Sequence, residues 1–285
     1  MLTVLAPTKL NLTLEVLGKR PDGYHEIRSV IQTISLCDVL SFELSEDVKI
    51  SSNLSEWSPE KSLVAKAVSL LQKTTSAAKV VRIEITKNIP LVAGLGGDSS
   101  DAAATLRGLN ELWELELDGN ELTELATQLG SDVPFFLYGG TALMAGRGEI
   151  ITPLPPVPRR YFVLVPPDIP PLPDKTKRLY ASLKSGHYTK GEATEKLARV
   201  LRKGEGFDSS LLFNVFENVA FDVFPGLKEY CDTMLKAGLK NVYLAGSGPT
   251  LYTMAETEAE ADGILEKLKR RGLKSYLAET LAAEW

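Results

Sequence analysis

A chain of 285 residues, 44% hydrophobic and 24% charged, is long enough for two packed domains and too long for one small core. Its formal net charge of −5 leaves no basic excess to offset nucleic-acid phosphates, so that class of partner is not expected. No apolar run approaches the roughly 18 residues of a membrane span, and Met1-Leu2-Thr3-Val4-Leu5 lacks the basic stretch of a targeting peptide; no membrane partner and a cytoplasmic location are expected.

In chain order, residues 2–6 read as a short strand and 9–17 alternate. Leu10, Leu12, Leu14 and Val16 point one way; Lys9, Asn11, Thr13 and Glu15 point the other, which puts Lys9 and Asn11 on one face. Gly18 to Gly23 contains Pro-Asp-Gly and predicts a turn. Strands are predicted near 28–36, 38–44 and 79–86. After Ser58-Pro59, the spacing of Leu63, Ala67, Leu70 and Leu71 predicts a helix. A second helix is predicted from Ser99 to Trp113, with Ala102, Leu106, Leu109 and Trp113 on one face, and a third over 119–129, ending at Gly130.

Two proline clusters, 152–158 and 166–173, form stiff connectors and set a domain boundary near residue 155. Beyond them the pattern predicts a strand at 161–165 and helices at 176–183, 192–202, 210–222 and 225–236. Strands at 241–245 and 250–255, a helix at 258–271 and a strand at 273–278 follow. That order fits a ferredoxin-like α+β domain. Cys37 and Cys231 lie far apart, outside metal-ligand spacing, and read as buried small hydrophobes. His187 reads as a surface loop residue.

The most informative segment is Pro90-Leu91-Val92-Ala93-Gly94-Leu95-Gly96-Gly97-Asp98-Ser99-Ser100-Asp101-Ala102-Ala103. It follows a strand and opens a helix. Glycines there let backbone N–H groups approach an anion, and the helix dipole favours negative charge. Ser99 and Ser100 add hydroxyls for phosphate oxygens or magnesium. It is not a Walker A loop, since no Gly-Lys-Ser/Thr follows, and Ser99 replaces the third glycine of a dinucleotide fingerprint. The alternative is a turn that caps its helix through Ser99.

Together with Ala6-Pro7-Thr8-Lys9-Leu10-Asn11 and Ala245-Gly246-Ser247-Gly248-Pro249-Thr250, this loop resembles the galactokinase, homoserine kinase, mevalonate kinase and phosphomevalonate kinase family, whose motifs occur in this order. The segments Gly18-Lys19-Arg20-Pro21-Asp22-Gly23-Tyr24-His25-Glu26 and Gly130-Ser131-Asp132-Val133-Pro134-Phe135-Phe136 are similar to the branch whose acceptor carries cytidine diphosphate. The resemblance implies an α+β, two-domain small-molecule kinase fold. A ribosomal-protein-S5-domain-2-like domain, 1–155, would bind ATP and carry catalysis; a ferredoxin-like domain, 156–285, would bind substrate, with the active site in the cleft. It also implies transfer of the γ-phosphate of Mg2+-bound ATP to the 2-hydroxyl of a methylerythritol moiety, in the non-mevalonate isoprenoid pathway. The expected assembly is a monomer or weak homodimer.

The residue roles follow from the same resemblance. Asp132 is the expected general base and Lys9 its cationic partner, which keeps the carboxylate ionised and orients the hydroxyl. Read alone, Asp132 is a helix cap and Lys9 a solvent-facing strand residue, and only the resemblance reverses both readings. Pro90, Gly94, Leu95, Gly96, Gly97, Asp98, Ser99 and Ser100 are expected around ATP, with Lys87 near the adenine. Asn11 is expected on the acceptor. Tyr24 and Tyr180 are expected to stack on the cytosine and His25 to hydrogen-bond its edge. Gly246, Ser247 and Gly248 form a substrate- or phosphate-facing loop. Two departures stand out: Asp98 where the family has a small residue, and Ser62 where it often has asparagine at the adenine pocket. Rival readings are a homoserine or mevalonate kinase, a diphosphomevalonate-type decarboxylase, or a non-catalytic nucleotide-binding regulator.

Overall fold

The computed structural model describes residues 1–75 and 79–283. The first strands are β1 (Leu2–Asn11), β2 (Thr13–Lys19), β3 (His25–Leu44) and β4 (Lys49–Ser52). Helix α1 (Leu63–Thr75) and strand β5 (Val81–Thr86) follow, then helices α2 (Gly97–Leu112), α3 (Gly119–Leu129) and α4 (Val133–Tyr138). Strands β6 (Thr141–Gly146), β7 (Ile150–Pro153) and β8 (Tyr161–Val165) precede helices α5 (Lys175–Ser182) and α6 (Glu192–Lys203). The remainder is β9 (Phe213–Asn214), α7 (Ala220–Val223), α8 (Leu227–Lys236), β10 (Tyr243–Leu244), β11 (Leu251–Ala255), α9 (Glu258–Lys269) and β12 (Tyr276–Glu279). None of the described helices is long and apolar enough to cross a membrane.

These elements form two compact units. One comprises Met1–Thr8, Leu36–Leu91 and Gly96–Tyr138; the other comprises Lys9–Ser35, Val92–Leu95 and the chain from Gly139 onward. In the first unit the C-terminal part of β3 pairs antiparallel with β5, and β4 pairs parallel with β5. Val81, Ile83 and Ile85 alternate inward from β5. Helix α1 buries Val64, Ala67, Val68 and Leu71, an i, i+3, i+4, i+7 stripe; of the four residues read in the sequence, Ala67 and Leu71 lie on it, while Leu63 and Leu70 are half-buried. Helix α3 opens on a capping box: the Asp118 side chain accepts from the Glu121 N–H, and the Glu121 side chain accepts from the Asp118 N–H.

In the second unit the N-terminal part of β3 pairs antiparallel with β2 and β6, and β6 with β7. The predicted strands 28–36 and 38–44 are one continuous strand, β3, whose two ends have different partners. A separate antiparallel sheet has the order β10-β11-β8-β12, the arrangement expected of a ferredoxin-like βαββαβ run. The central strand β8 is buried throughout, with α9 packed on this sheet.

Two expectations change. The helix predicted over 210–222 is instead two single turns around β9, followed by the short α7. Asp208 and Asn214 accept the N–H groups of Ser210 and Phe216 through their side chains, while Phe213 donates its N–H to the Leu12 carbonyl. Side-chain caps and a parallel pairing with β2 thus take the amides that a helix would have used. Second, Cys37 and Cys231 lie outside any disulfide, as expected, but are half-buried rather than fully buried.

Candidate active site

The polar face of residues 9–15, which alternation alone assigns to solvent, is buried: Lys9 and Asn11 are 5% and 4% exposed. Each polar group on it is matched. The Lys9 Nζ donates to Asn11 Oδ1 at 2.6 Å, and Asn11 Nδ2 donates to Ser29 Oγ at 2.8 Å. Thr13 Oγ1 lies 2.9 Å from Thr194 Oγ1, and Glu15 Oε2 accepts the Thr194 N–H at 2.7 Å. That last bond sets a carboxylate at the first turn of α6, where the dipole favours it.

Two loops converge on this row. The Lys9 N–H donates to the Leu95 carbonyl and the Thr250 N–H to the Ala93 carbonyl. Gly94 and Gly246 have positive φ of 84° and 52°, and both contacts are too close for a side chain. A Cβ on Gly94 would fall 2.5 Å from the Ala245 carbonyl; one on Gly246 would fall 2.7 Å from the Gly94 carbonyl and 3.0 Å from Lys9 Nζ. Glycine is the residue that fits such backbone. Asn214 Nδ2 donates to the Leu244 and Gly246 carbonyls at 2.8 Å each. Lys175 Nζ donates to the Gly248 carbonyl and lies 3.3 Å from Ser247 Oγ, which Thr176 Oγ1 meets at 3.0 Å. Gly246-Ser247-Gly248 is therefore a hairpin loop anchored on several sides.

Helix α2 begins two residues earlier than predicted, at Gly97. Its N-cap is Gly96 at φ 77°, with no side-chain hydrogen bond to the first turn, so Ser99 does not cap the helix. An uncapped helix start with glycine at the cap leaves first-turn N–H groups for an anion. Ser100 Oγ donates to the Pro7 carbonyl at 2.6 Å, and half-buried Ser99 stands beside it. The exposed Asp98 turns toward α1, where its Oδ1 lies 3.4 Å from the Leu63 N–H. Ser62 is buried and donates to the Pro59 carbonyl. Half-buried Asp132 directly precedes α4.

Lys87 is buried and pairs with Asp38 and with Asp101, the latter at 2.7 Å. Burial works to lower its pKa, but the Asp101 and Asp38 carboxylates outweigh it and hold the ammonium above the ordinary lysine value. Burial also raises the Asp101 carboxyl to about 8, opposed by Lys87 and reinforced by Asp38. Asp38 Oδ1 accepts the N–H groups of Asn88 and Ile89, so the cluster fixes the chain leading into Pro90.

Also in the second unit, His25 and Tyr180 are stacked, with Tyr188 edge-on to His25 and Phe216 edge-on to Tyr180. Tyr24 is 55% exposed, with the Arg147 guanidinium 4.7 Å over its ring. Arg20 pairs with Asp22 and Glu26 across the turn, and Asp22 Oδ1 accepts the Tyr24 N–H at 3.1 Å. Burial, then the charge of Lys19, lowers the His25 pKa, so its imidazole is neutral at pH 7. His187 is partly buried in a separate turn, its Nδ1 accepting from the Lys184 N–H.

The models of the GHMP kinases N terminal domain and GHMP kinases C terminal domain match residues 62–140 and 194–274. The chain belongs to the GHMP kinase family. It is an ATP-dependent small-molecule kinase of that family. This GHMP kinase is 49% identical over 281 residues to the 4-diphosphocytidyl-2-C-methyl-D-erythritol kinase of Dehalococcoides mccartyi, covering 99% of each chain. It is 39% identical to the protein of that name from Shouchella clausii, covering 98% of this chain and 93% of the relative. A crystal structure of 4-(cytidine 5'-diphospho)-2C-methyl-D-erythritol kinase superposes with a TM-score of 0.82 at 33% identity, over 98% and 99% of the two chains. Homoserine kinase from Cytophaga hutchinsonii, at TM-score 0.73 and 18% identity over 99% and 95%, shares the fold.

Sequence reasoning about this GHMP kinase missed Ser29, Asp38, Asp101, Arg147, Lys175 and Asn214. Only Asp101 carried a signal: a carboxylate followed by Ala102, Ala103 and Ala104 on a buried helix demands a cation. The others became partners only when distant strands and loops met.

Proposed function

We propose that this GHMP kinase transfers the γ-phosphate of ATP to the 2-hydroxyl of 4-diphosphocytidyl-2-C-methyl-D-erythritol, in the non-mevalonate isoprenoid pathway. The observation that carries the reading is likeness along the whole chain to kinases named for that acceptor. The aromatic cluster of His25, Tyr180, Tyr188 and Phe216, with the exposed Tyr24 next to His25 in the chain, supports it, because homoserine or mevalonate offers no base to stack.

The acceptor oxygen attacks the γ-phosphorus, the bond to the bridging oxygen of ADP breaks, and the hydroxyl proton passes to Asp132. Lys9, held by Asn11, supplies positive charge and orients the acceptor. The uncapped start of α2, with Pro90, Gly94, Leu95, Gly96, Gly97, Ser99 and Ser100, receives the nucleotide phosphates. Magnesium enters as part of the Mg–ATP substrate. Asp98, engaged at α1, stands in this loop without aiming at the phosphates, and Lys87 sets the loop's approach while flanking the adenine. Asn11 and the Gly246-Ser247-Gly248 loop hold the acceptor, and Tyr24, His25 and Tyr180 take its cytosine. In this reading residues 1–155 bind ATP and carry catalysis, residues 156–285 complete the substrate site, and the protein works in the cytoplasm as a monomer or weak homodimer.

The test is ADP release from Mg–ATP with diphosphocytidyl methylerythritol, homoserine and mevalonate offered separately. Turnover on the first alone is expected. Turnover on either of the others, and none on the first, sinks the acceptor assignment.

A further inference from the structure

We infer that Ser29 is a positioning residue for phosphoryl transfer: its buried hydroxyl dictates which end of the Asn11 amide faces Lys9, and through that amide it fixes the Lys9 ammonium. The inference rests on the reading that Lys9 and Asn11 serve the acceptor.

Ser29 is fully buried in β3. Its Oγ lies 2.5 Å from the Thr13 carbonyl and 2.8 Å from Asn11 Nδ2. A carbonyl oxygen only accepts, so the single hydroxyl proton of Ser29 is spent on Thr13. Toward Asn11 the hydroxyl can then only accept, and the amide must present its NH2 group. The Asn11 carbonyl oxygen is thereby left facing Lys9 Nζ, 2.6 Å away. With the amide turned over, NH2 would face ammonium and oxygen would face a hydroxyl with no proton to give, two mismatches in a buried site.

The polarity begins in the backbone. Val30 places its N–H on Thr13 Oγ1 at 2.8 Å, so the Thr13 carbonyl is served by Ser29 instead. The chain of donors therefore runs from Lys9 through Asn11 and Ser29 to a fixed backbone oxygen. Lys9 is a flexible side chain with three donors, and this relay limits where its ammonium sits.

The experiment measures kcat, both KM values and Tm for Ser29→Ala, Ser29→Thr, Asn11→Ala and the double variant Ser29→Ala/Asn11→Ala. Ser29→Ala should lower kcat by roughly 10- to 100-fold, the scale of a small misplacement in an active site, with the KM for ATP within about twofold of the parent. Ser29→Thr, which keeps the hydroxyl, should recover most of the loss. In the Asn11→Ala background, Ser29→Ala should cost almost nothing more, because the relay is already cut. Should Ser29→Ala fail to fold, Ser29→Cys, a poorer donor and acceptor of similar shape, carries the same comparison. Parental kcat in the folded serine variants, or a full and independent loss in the Asn11→Ala background, overturns the inference. Parental kcat in Asn11→Ala alone overturns the reading beneath it.

Discussion

His25 and Tyr180 lie ring on ring, with centroids 4.7 Å apart and planes inclined by 21°. That spacing holds no third ring, so a cytosine that stacks on Tyr180 either displaces His25 or uses the other side of the pair. The stack also joins the first residue of β3 to α5, elements more than 150 positions apart in sequence. Base–aromatic stacking contributes roughly 1–3 kcal/mol per base. Tyr180→Ala should accordingly raise the KM for the cytidine-bearing acceptor about fivefold or more, and leave the KM for ATP unchanged. Steady-state kinetics with each substrate varied decides it; an unmoved acceptor KM places the base elsewhere.

The state of His25 predicts a pH dependence. Burial and Lys19 lower its pKa, so the folded protein keeps the imidazole neutral where an unfolded chain already takes up a proton. The stability from this site is present above the ordinary histidine value and is lost as pH falls through the lowered one. The acceptor KM should rise over the same descent, as the neutral ring that reads the base becomes charged. His25→Gln should flatten that rise; a profile identical to the parent's would remove His25 from the base site.

Gly246→Ala tests the meeting of the two glycine loops. The new Cβ would lie 2.7 Å from the Gly94 carbonyl, 3.0 Å from Lys9 Nζ and 3.2 Å from Asn11 Oδ1, at a backbone φ of 52°. The backbone oxygen cannot retreat without moving the loop, so Lys9 and Asn11 are pushed as well. We expect kcat/KM for the acceptor to fall at least about tenfold, with about 1 kcal/mol or more of stability lost to the left-handed φ. Activity assays and thermal melts separate the two effects.

Asp101 offers a stability measurement independent of substrate. With its carboxyl raised to about 8 by burial, the folded chain holds a proton there that the unfolded chain has released above about pH 4. Stability must therefore fall as pH rises from that point to about 8. Asp101→Asn has no such proton, so its Tm relative to the parent should climb between pH 5 and pH 8. A constant difference across that range would show that Asp101 is ionised throughout.

Asp132→Ala removes the proposed base. A positioned general base is worth about 10²- to 10⁴-fold, so kcat should drop by that scale with both KM values nearly unchanged. Turnover at the parental rate would assign the proton to another group.

The strands β8, β10, β11 and β12 and helix α9 were legible in the sequence because strand, helix and turn signals there are local, and a βαββαβ run has few ways to pair. The phosphate loop was legible for a related reason: glycine and serine at a strand-to-helix junction state their chemistry within a dozen residues. The 210–222 segment was not. Its apolar spacing suits a helix, and only Leu12, some 200 positions earlier, supplies the carbonyl that takes the Phe213 N–H and favours a strand.

The polar face of Lys9, Asn11, Thr13 and Glu15 marks the same division. Alternation determined that these four side chains share a face, since successive side chains on a strand must point to opposite sides. It could not determine that the face is buried. Thr194 on α6 and Ser29 on β3 decide that, by supplying the partners without which the burial of those groups would be prohibitive. The sequence by itself determined the family motifs, the glycine positions and the ferredoxin-like order, all written within short spans. Only the tertiary structure decided that Lys87 is clamped between Asp38 and Asp101 and that Ser29 orients Asn11. Those pairings join residues 14 to 49 positions apart, and hydrogen-bond partners at such separations exist only once the chain has folded.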